Sequence, residues 1–131
     1  MNTIELEEAL FEKWSKKRPG MAKDGIIEID EYNKSAVKVM FILKEVNDWE
    51  DGDLRELVRR GAKWRTWNNI SRWNYGIQHY FETGKIKFKS KITHFDRKEI
   101  LKNIVVINLK KKSGGASSNM REIRKHAIED R

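Results

Sequence analysis

A chain of 131 residues with 28 Lys plus Arg against 20 Asp plus Glu carries a net charge of +8, a balance that suits a polyanionic partner. It has no cysteine, which excludes disulfide frameworks, thiolate chemistry and cysteine-based zinc sites. The length fits one domain, 1–131, and with no membrane-length apolar run and an acidic start at Glu5-Leu6-Glu7-Glu8 a cytoplasmic protein with no membrane contact is expected.

Residues 3–17 predict a first helix, capped by Asn2 or Thr3, with Leu6, Ala9, Leu10, Phe11 and Trp14 as its apolar stripe and Pro19-Gly20 as its stop. After the Asp24-Gly25 turn, Ile26 to Ile29 reads as a short strand. Val37 to Leu43 is nearly continuous in apolar residues, the pattern of a buried strand, and runs into Lys44-Glu45-Val46-Asn47-Asp48. A short helix is expected from Leu54 to Arg60, ending at Gly61, and a longer one over 65–82. On the longer helix Trp67, Ile70, Trp73, Ile77, Tyr80 and Phe81 share one side and predict a core stripe.

Residues 85–92 alternate at period two, with Lys85, Lys87, Lys89 and Lys91 on one face and Ile86, Phe88 and Ile92 on the other. Ammoniums about 7 Å apart along a strand suit a phosphate backbone. The same pattern also suits an edge strand guarded by lysines. Residues 96–103 read as a helical turn leading into a second buried strand, Ile104 to Leu109. That strand runs into Lys110-Lys111-Lys112-Ser113-Gly114-Gly115, after which Ser117, Ser118 and Asn119 offer caps for a last helix over 118–131. A basic glycine loop between strand and helix can cradle a phosphate, and is equally the form of a solvated connection. The predicted order is α-β-β-α-α-β-α-β-α: an α/β fold, layered αβα, around a small, mainly parallel sheet.

Ligands of such sheets lie beyond the carboxyl ends of the strands. If the two buried strands are neighbours, Glu45, Asn47, Asn108 and Lys110 converge there, a carboxylate to activate water beside amides to read a base or sugar. The alternative is that Glu45 pairs with a lysine while the two asparagines cap turns. His79, His94 and His126 have no metal-ligand spacing, and no Walker loop, Ser-His-Asp order or dinucleotide fingerprint is present, so neither a metal nor a cofactor is expected.

The two edge segments together carry a family resemblance. "ILKEVN", with Asp51 six residues past Glu45, resembles the first motif of the uracil-DNA glycosylase superfamily, and "INLKKKSGG" is similar to the family's second-strand stretch. The pairing of the two looks like a bacterial and phage branch of that superfamily. The resemblance implies that Glu45 and Asn47 occupy the water-activating loop, and that Asn108 and Lys110 contact base and DNA. Lys44 and Asn47 stand where the family's first motif has glycine and proline. The resemblance covers roughly residues 10–130 but only the first half of the family's fold; the later motif that supplies the leaving-group histidine has no counterpart before Arg131. It therefore implies a glycosylase-like half-domain that binds DNA or another nucleic acid, without complete catalysis of its own; to Asn108 and Lys110 the lysine arrays and the glycine loop add Lys85, Lys87, Lys89, Lys91, Lys111, Lys112, Gly114 and Gly115 as nucleic-acid contacts. If active, it would be a glycosylase-type hydrolase. Two visible buried strands are few for such a sheet, which predicts a homodimer paired through an open edge. The rival from another class is a small phage- or plasmid-type interaction protein that binds a host nucleic-acid-processing complex, with the tryptophans near 64–73 exposed as a hot spot.

Overall fold

A computed structural model describes residues 2–47, 52–114 and 120–129, and the side chains of 2–44, 52–111 and 120–129. Six helices and three strands are described: α1 (Thr3–Lys17), β1 (Gly25–Ile26), α2 (Ile29–Lys34), β2 (Val39–Asn47), α3 (Leu54–Arg59), α4 (Arg65–Thr83), α5 (His94–Ile100), β3 (Ile104–Gly114) and α6 (Met120–Glu129), with a 3-10 turn, Leu101–Asn103, entering β3. The fold is α/β.

The strands form one sheet in the order β1-β3-β2. Ala22 donates to the carbonyl of Lys111, Ile27 to Ile104 and Glu28 to Lys102. Partner numbers fall as donor numbers rise, so this pairing is antiparallel. The sheet as a whole is mixed, which leaves β3 and β2 parallel and their carboxyl ends at one edge. The expectation of a mainly parallel sheet therefore holds for the β2–β3 pair alone. In β3 the buried residues alternate: Ile104, Val106 and Asn108 are fully enclosed while Val105, Ile107 and Leu109 are half-buried. Over Ile104–Leu109 only one face of this strand is closely packed.

The chain divides into two compact units. Unit 1 comprises Met1–Gly25, Ile42–Leu54 and Ile107–Arg131; unit 2 comprises Ile26–Phe41 and Arg55–Val106. The core of unit 1 includes Phe11, Met21, Ala22, Leu54 and Ile123, and that of unit 2 includes Ile27, Val58, Trp67, Ile70, Leu101, Ile104 and Val106.

Local chemistry accounts for most element boundaries. Asn2 and Glu5 close a capping box on α1, each side chain accepting from the other's backbone N–H. Of the predicted α1 stripe only Phe11 is buried; Leu6 and Leu10 are exposed. The expected strand over 26–29 is cut to two residues. Ile29 instead opens α2, with Asp30 and Glu31 in its first turn, where carboxylates complement the helix dipole. Both long strands outrun their apolar cores, β2 through Lys44-Glu45-Val46-Asn47 and β3 through its lysines. Residues 85–92 belong to no strand.

Candidate nucleic-acid interface

In unit 1 the carboxyl-terminal half of β3 carries polar residues into the interior. Asn108, Lys110 and Lys111 are 2%, 4% and 2% exposed. Lys111 Nζ lies 2.6 Å from Asp24 Oδ2, which also accepts the Asn108 backbone N–H at 2.7 Å. The same ammonium stands 5.3 Å from the Trp14 ring centroid, a cation–π contact inside the fold. Lys110 pairs with Glu122 of α6 at 3.2 Å. These two lysines, expected to meet phosphate, are thus engaged by carboxylates and enclosed. The Asn108 side-chain nitrogen is buried with no hydrogen-bond partner among the described residues. Asp24 is the residue that sequence reasoning missed: read as half of a turn, it organises the whole cluster. Its only sequence signal was a carboxylate next to the Gly25 turn.

Glu45 and Asn47 lie on the carboxyl-terminal part of β2, and Lys112 and Gly114 on that of β3, so the backbone brings both predicted segments to one sheet edge. The side chains of Glu45, Asn47 and Lys112, together with Gly115, Asp51 and Ser117–Asn119, lie outside the described residues.

In unit 2 the four lysines of the 85–91 segment take a different form from the predicted strand. Gly84, at φ +69°, ends α4, its N–H donating to the Tyr80 carbonyl at 2.7 Å; this left-handed conformation favours glycine. The chain then doubles back along the helix as a strap without regular secondary structure. A methyl group at Gly76 would stand 3.6 Å from the Lys87 carbonyl, so the strap passes directly over that residue. Arg72 fastens the strap further on, donating from Nε and Nη2 to the Ser90 carbonyl at 3.1 and 2.8 Å. Lys87 and Lys89 Nζ sit 5.9 and 5.6 Å from the Tyr75 centroid, and Tyr75 stacks on His79 at 6.2 Å. Lys89 also pairs with Asp96 at 3.7 Å. Thr93 N–H and Oγ1 hold Asp96 in a capping box, and these bonds, the backbone one foremost, keep its carboxyl below the ordinary value. Among the described residues no ion pair engages Lys85, Lys87 or Lys91.

The two predicted faces are not separated by exposure: Lys85, Lys87 and Lys91 are exposed along with Ile86 and Phe88, and only Lys89 and Ile92 are half-buried. Ile86 and Phe88 are 91% and 76% exposed. The physical reason is the surface beneath the strap. Arg72, Tyr75, Gly76 and His79 offer a carbonyl clamp and a π face, which receive ammoniums better than alkyl groups. No ladder is formed, so the edge-guard reading of the lysines has no strand to guard.

The predicted core stripe of α4 is split as well. Trp67 and Ile70 are buried, together with Ser71, Asn74 and Gln78. Trp73, Ile77, Tyr80 and Phe81 are open to solvent, and Trp64 ahead of the helix is 60% exposed. The interior positions are polar because they serve the backbone. Asn74 donates to the Ile100 carbonyl and to Asn103, and Gln78 both donates to and accepts from Val37. At about 100° per residue, Trp73, Ile77 and Tyr80 form a stripe roughly a quarter-turn from the Arg72–Gly76–His79 face that carries the strap.

Among the described residues no group of His, Asp or Glu is arranged to hold a metal ion, and no helix is long and apolar enough to cross a membrane. No protein-family model, curated protein or solved structure matches the chain.

Proposed function

We propose that this chain is a nucleic-acid-binding protein whose contact surface is the 85–91 strap of unit 2. The observation that carries the reading is the set of Lys85, Lys87 and Lys91, exposed on one short segment and without ion pairs among the described residues, in a chain of net charge +8. Closely spaced lysines hold a polyanion without reading its sequence. Fluorescence anisotropy against a labelled oligonucleotide tests it: log affinity is expected to fall linearly with log salt, by about 0.7 to 0.9 per phosphate contact. Replacing Lys85, Lys87 and Lys91 by alanine should flatten that slope. No binding at low salt overturns the proposal.

Kinship with the uracil-DNA glycosylases belongs to the same reading. It is supported by the parallel pairing of β2 and β3, which sets the Lys44–Asn47 and Asn108–Gly114 segments at one sheet edge. With no counterpart of the leaving-group histidine motif, the expected product of incubation with a uracil-containing oligonucleotide followed by alkali is uncut DNA. Cleavage that disappears in Glu45→Gln would establish catalysis instead. The outer position of β2 in the sheet further favours pairing with a second copy, which sedimentation velocity would reveal as a species of twice the chain mass.

The exposure of Trp64, Trp73, Tyr80 and Phe81 favours a second reading, an interaction protein that docks on a nucleic-acid-processing complex. Apolar stripes of this kind commonly mark protein contacts. In that case Trp73→Ala abolishes partner capture while oligonucleotide affinity is unchanged.

A further inference from the structure

We infer that the strap is built for single-stranded rather than duplex nucleic acid, with Phe88 as a platform on which a base stacks; the inference rests on the nucleic-acid reading above. Ile86 and Phe88 are the most exposed large apolar side chains among the described residues. A segment lying over a helix ordinarily turns such side chains inward, because burial removes apolar surface from water. Here Ile86 and Phe88 face solvent while Lys87 and Lys89 lean over Tyr75.

The outward face is also held firmly. Arg72 grips the Ser90 carbonyl with two N–H groups, its third nitrogen donates to Asn69, and the capping box at Thr93 begins α5 immediately beyond. Phe88 is therefore displayed by an anchored segment rather than by a loose one, which lowers the ordering cost of using it. In the chain Phe88 stands between Lys87 and Lys89, with the exposed Lys85 and Lys91 close by. An exposed phenyl group on a lysine-rich segment matches a nucleotide, π surface and phosphate together.

A duplex cannot use this arrangement. Its bases are already stacked and expose only their edges, and its outer surface is charged sugar-phosphate, against which Ile86 and Phe88 would bury no apolar partner. In a single strand each base has a free face, and each stacked base contributes enough to change affinity severalfold to a hundredfold. An acidic peptide would satisfy the lysines but gives the ring no planar partner.

The test uses the full chain and three probes in anisotropy titrations: a labelled oligo(dT), a labelled duplex of the same length, and poly-glutamate as competitor. Oligo(dT) is expected to bind more tightly than duplex. Phe88→Ala should weaken oligo(dT) by about five- to a hundredfold and leave duplex affinity unchanged. Phe88→Trp should retain binding, with the new indole quenched by the bound strand. Because the ring is largely exposed, circular dichroism should show the variants folded like the parent. Equal affinity for duplex, with no effect of Phe88→Ala, overturns the inference while the nucleic-acid reading stands. Failure to bind either oligonucleotide overturns both. Displacement of oligo(dT) by poly-glutamate at equal charge concentration also overturns the inference and assigns the strap to an acidic protein.

Discussion

The ammonium of Lys111 and the carboxylate of Asp24 meet at 2.6 Å with both side chains 2–3% exposed, so β3 and the turn before β1 are joined by an ion pair withdrawn from water. Taking one member away leaves the other charge buried and unpaired, which costs about 3–5 kcal/mol. Lys111→Met is therefore expected to lower the urea midpoint sharply. Asp24→Asn added to Lys111→Met should restore part of the loss, because the amide oxygen can still accept the Asn108 N–H. Equal instability of the single and double variants would show that the charge pair is not the source of the cost.

Gly61 offers a backbone test in unit 2. Its φ is +78°, and a β-carbon there would stand 2.8 Å from both His94 Cε1 and Lys98 Cγ. Its carbonyl accepts Arg97 Nε, whose guanidinium also reaches Asn68. Gly61→Ala should cost about 2 kcal/mol or more, combining left-handed strain with the clash. Gly84→Ala, at φ +69° with nothing within 4 Å, should cost only the strain. The difference between the two midpoints measures the contact with α5.

What the sequence revealed and what it concealed separate along physical lines. Strong local signals were legible: the Asn2 cap and the Pro19-Gly20 stop of α1, and β3 with its buried Ile104 and Val106. The parallel adjacency of β2 and β3 was expected from their apolar runs. The burial of Lys110 and Lys111 was not legible, because it depends on Asp24 and Glu122, partners distant in sequence. The exposure of the 85–92 segment was likewise hidden: period two suggests a strand but does not supply the partner strand that would make one. The α4 stripe misled because helical spacing records amphipathicity. It cannot tell a core from a surface awaiting a partner.

The divided α4 stripe makes an optical prediction. Trp67 is 5% exposed, whereas Trp64 and Trp73 are 60% and 58% exposed. Phe41 stacks on Trp73, with ring centroids 6.5 Å apart, but leaves much of the indole open. Acrylamide should quench the wild-type emission in two components. Trp64→Phe combined with Trp73→Phe should remove most of the accessible component, while Trp67→Phe should leave it intact. An inaccessible Trp73 would mean that another molecule covers the stripe in solution.

His126 on α6 gives unit 1 a pH dependence of defined sign. Burial holds its imidazole below the ordinary value of 6.5, and Arg18 and Lys110 push in the same direction against Glu129 and Glu122. The Arg18 guanidinium, 5% exposed, donates to the His126 carbonyl and pairs with Glu129. His126 Nδ1 is buried with no hydrogen-bond partner among the described residues, so a proton placed there has nothing to bind. The unfolded chain takes up that proton near pH 6.5, and the folded chain only at lower pH. Between the two values the unfolded state holds more protons, so stability falls as pH falls. The loss is absent above pH 6.5, grows on acidification and levels off below the native value. Urea midpoints between pH 8 and pH 5 should show a decline in the wild type that is shallower in His126→Asn, whose side chain does not titrate. A steeper decline in the variant would mean that Glu129 or Glu122 raises the imidazole, and would reverse the assignment.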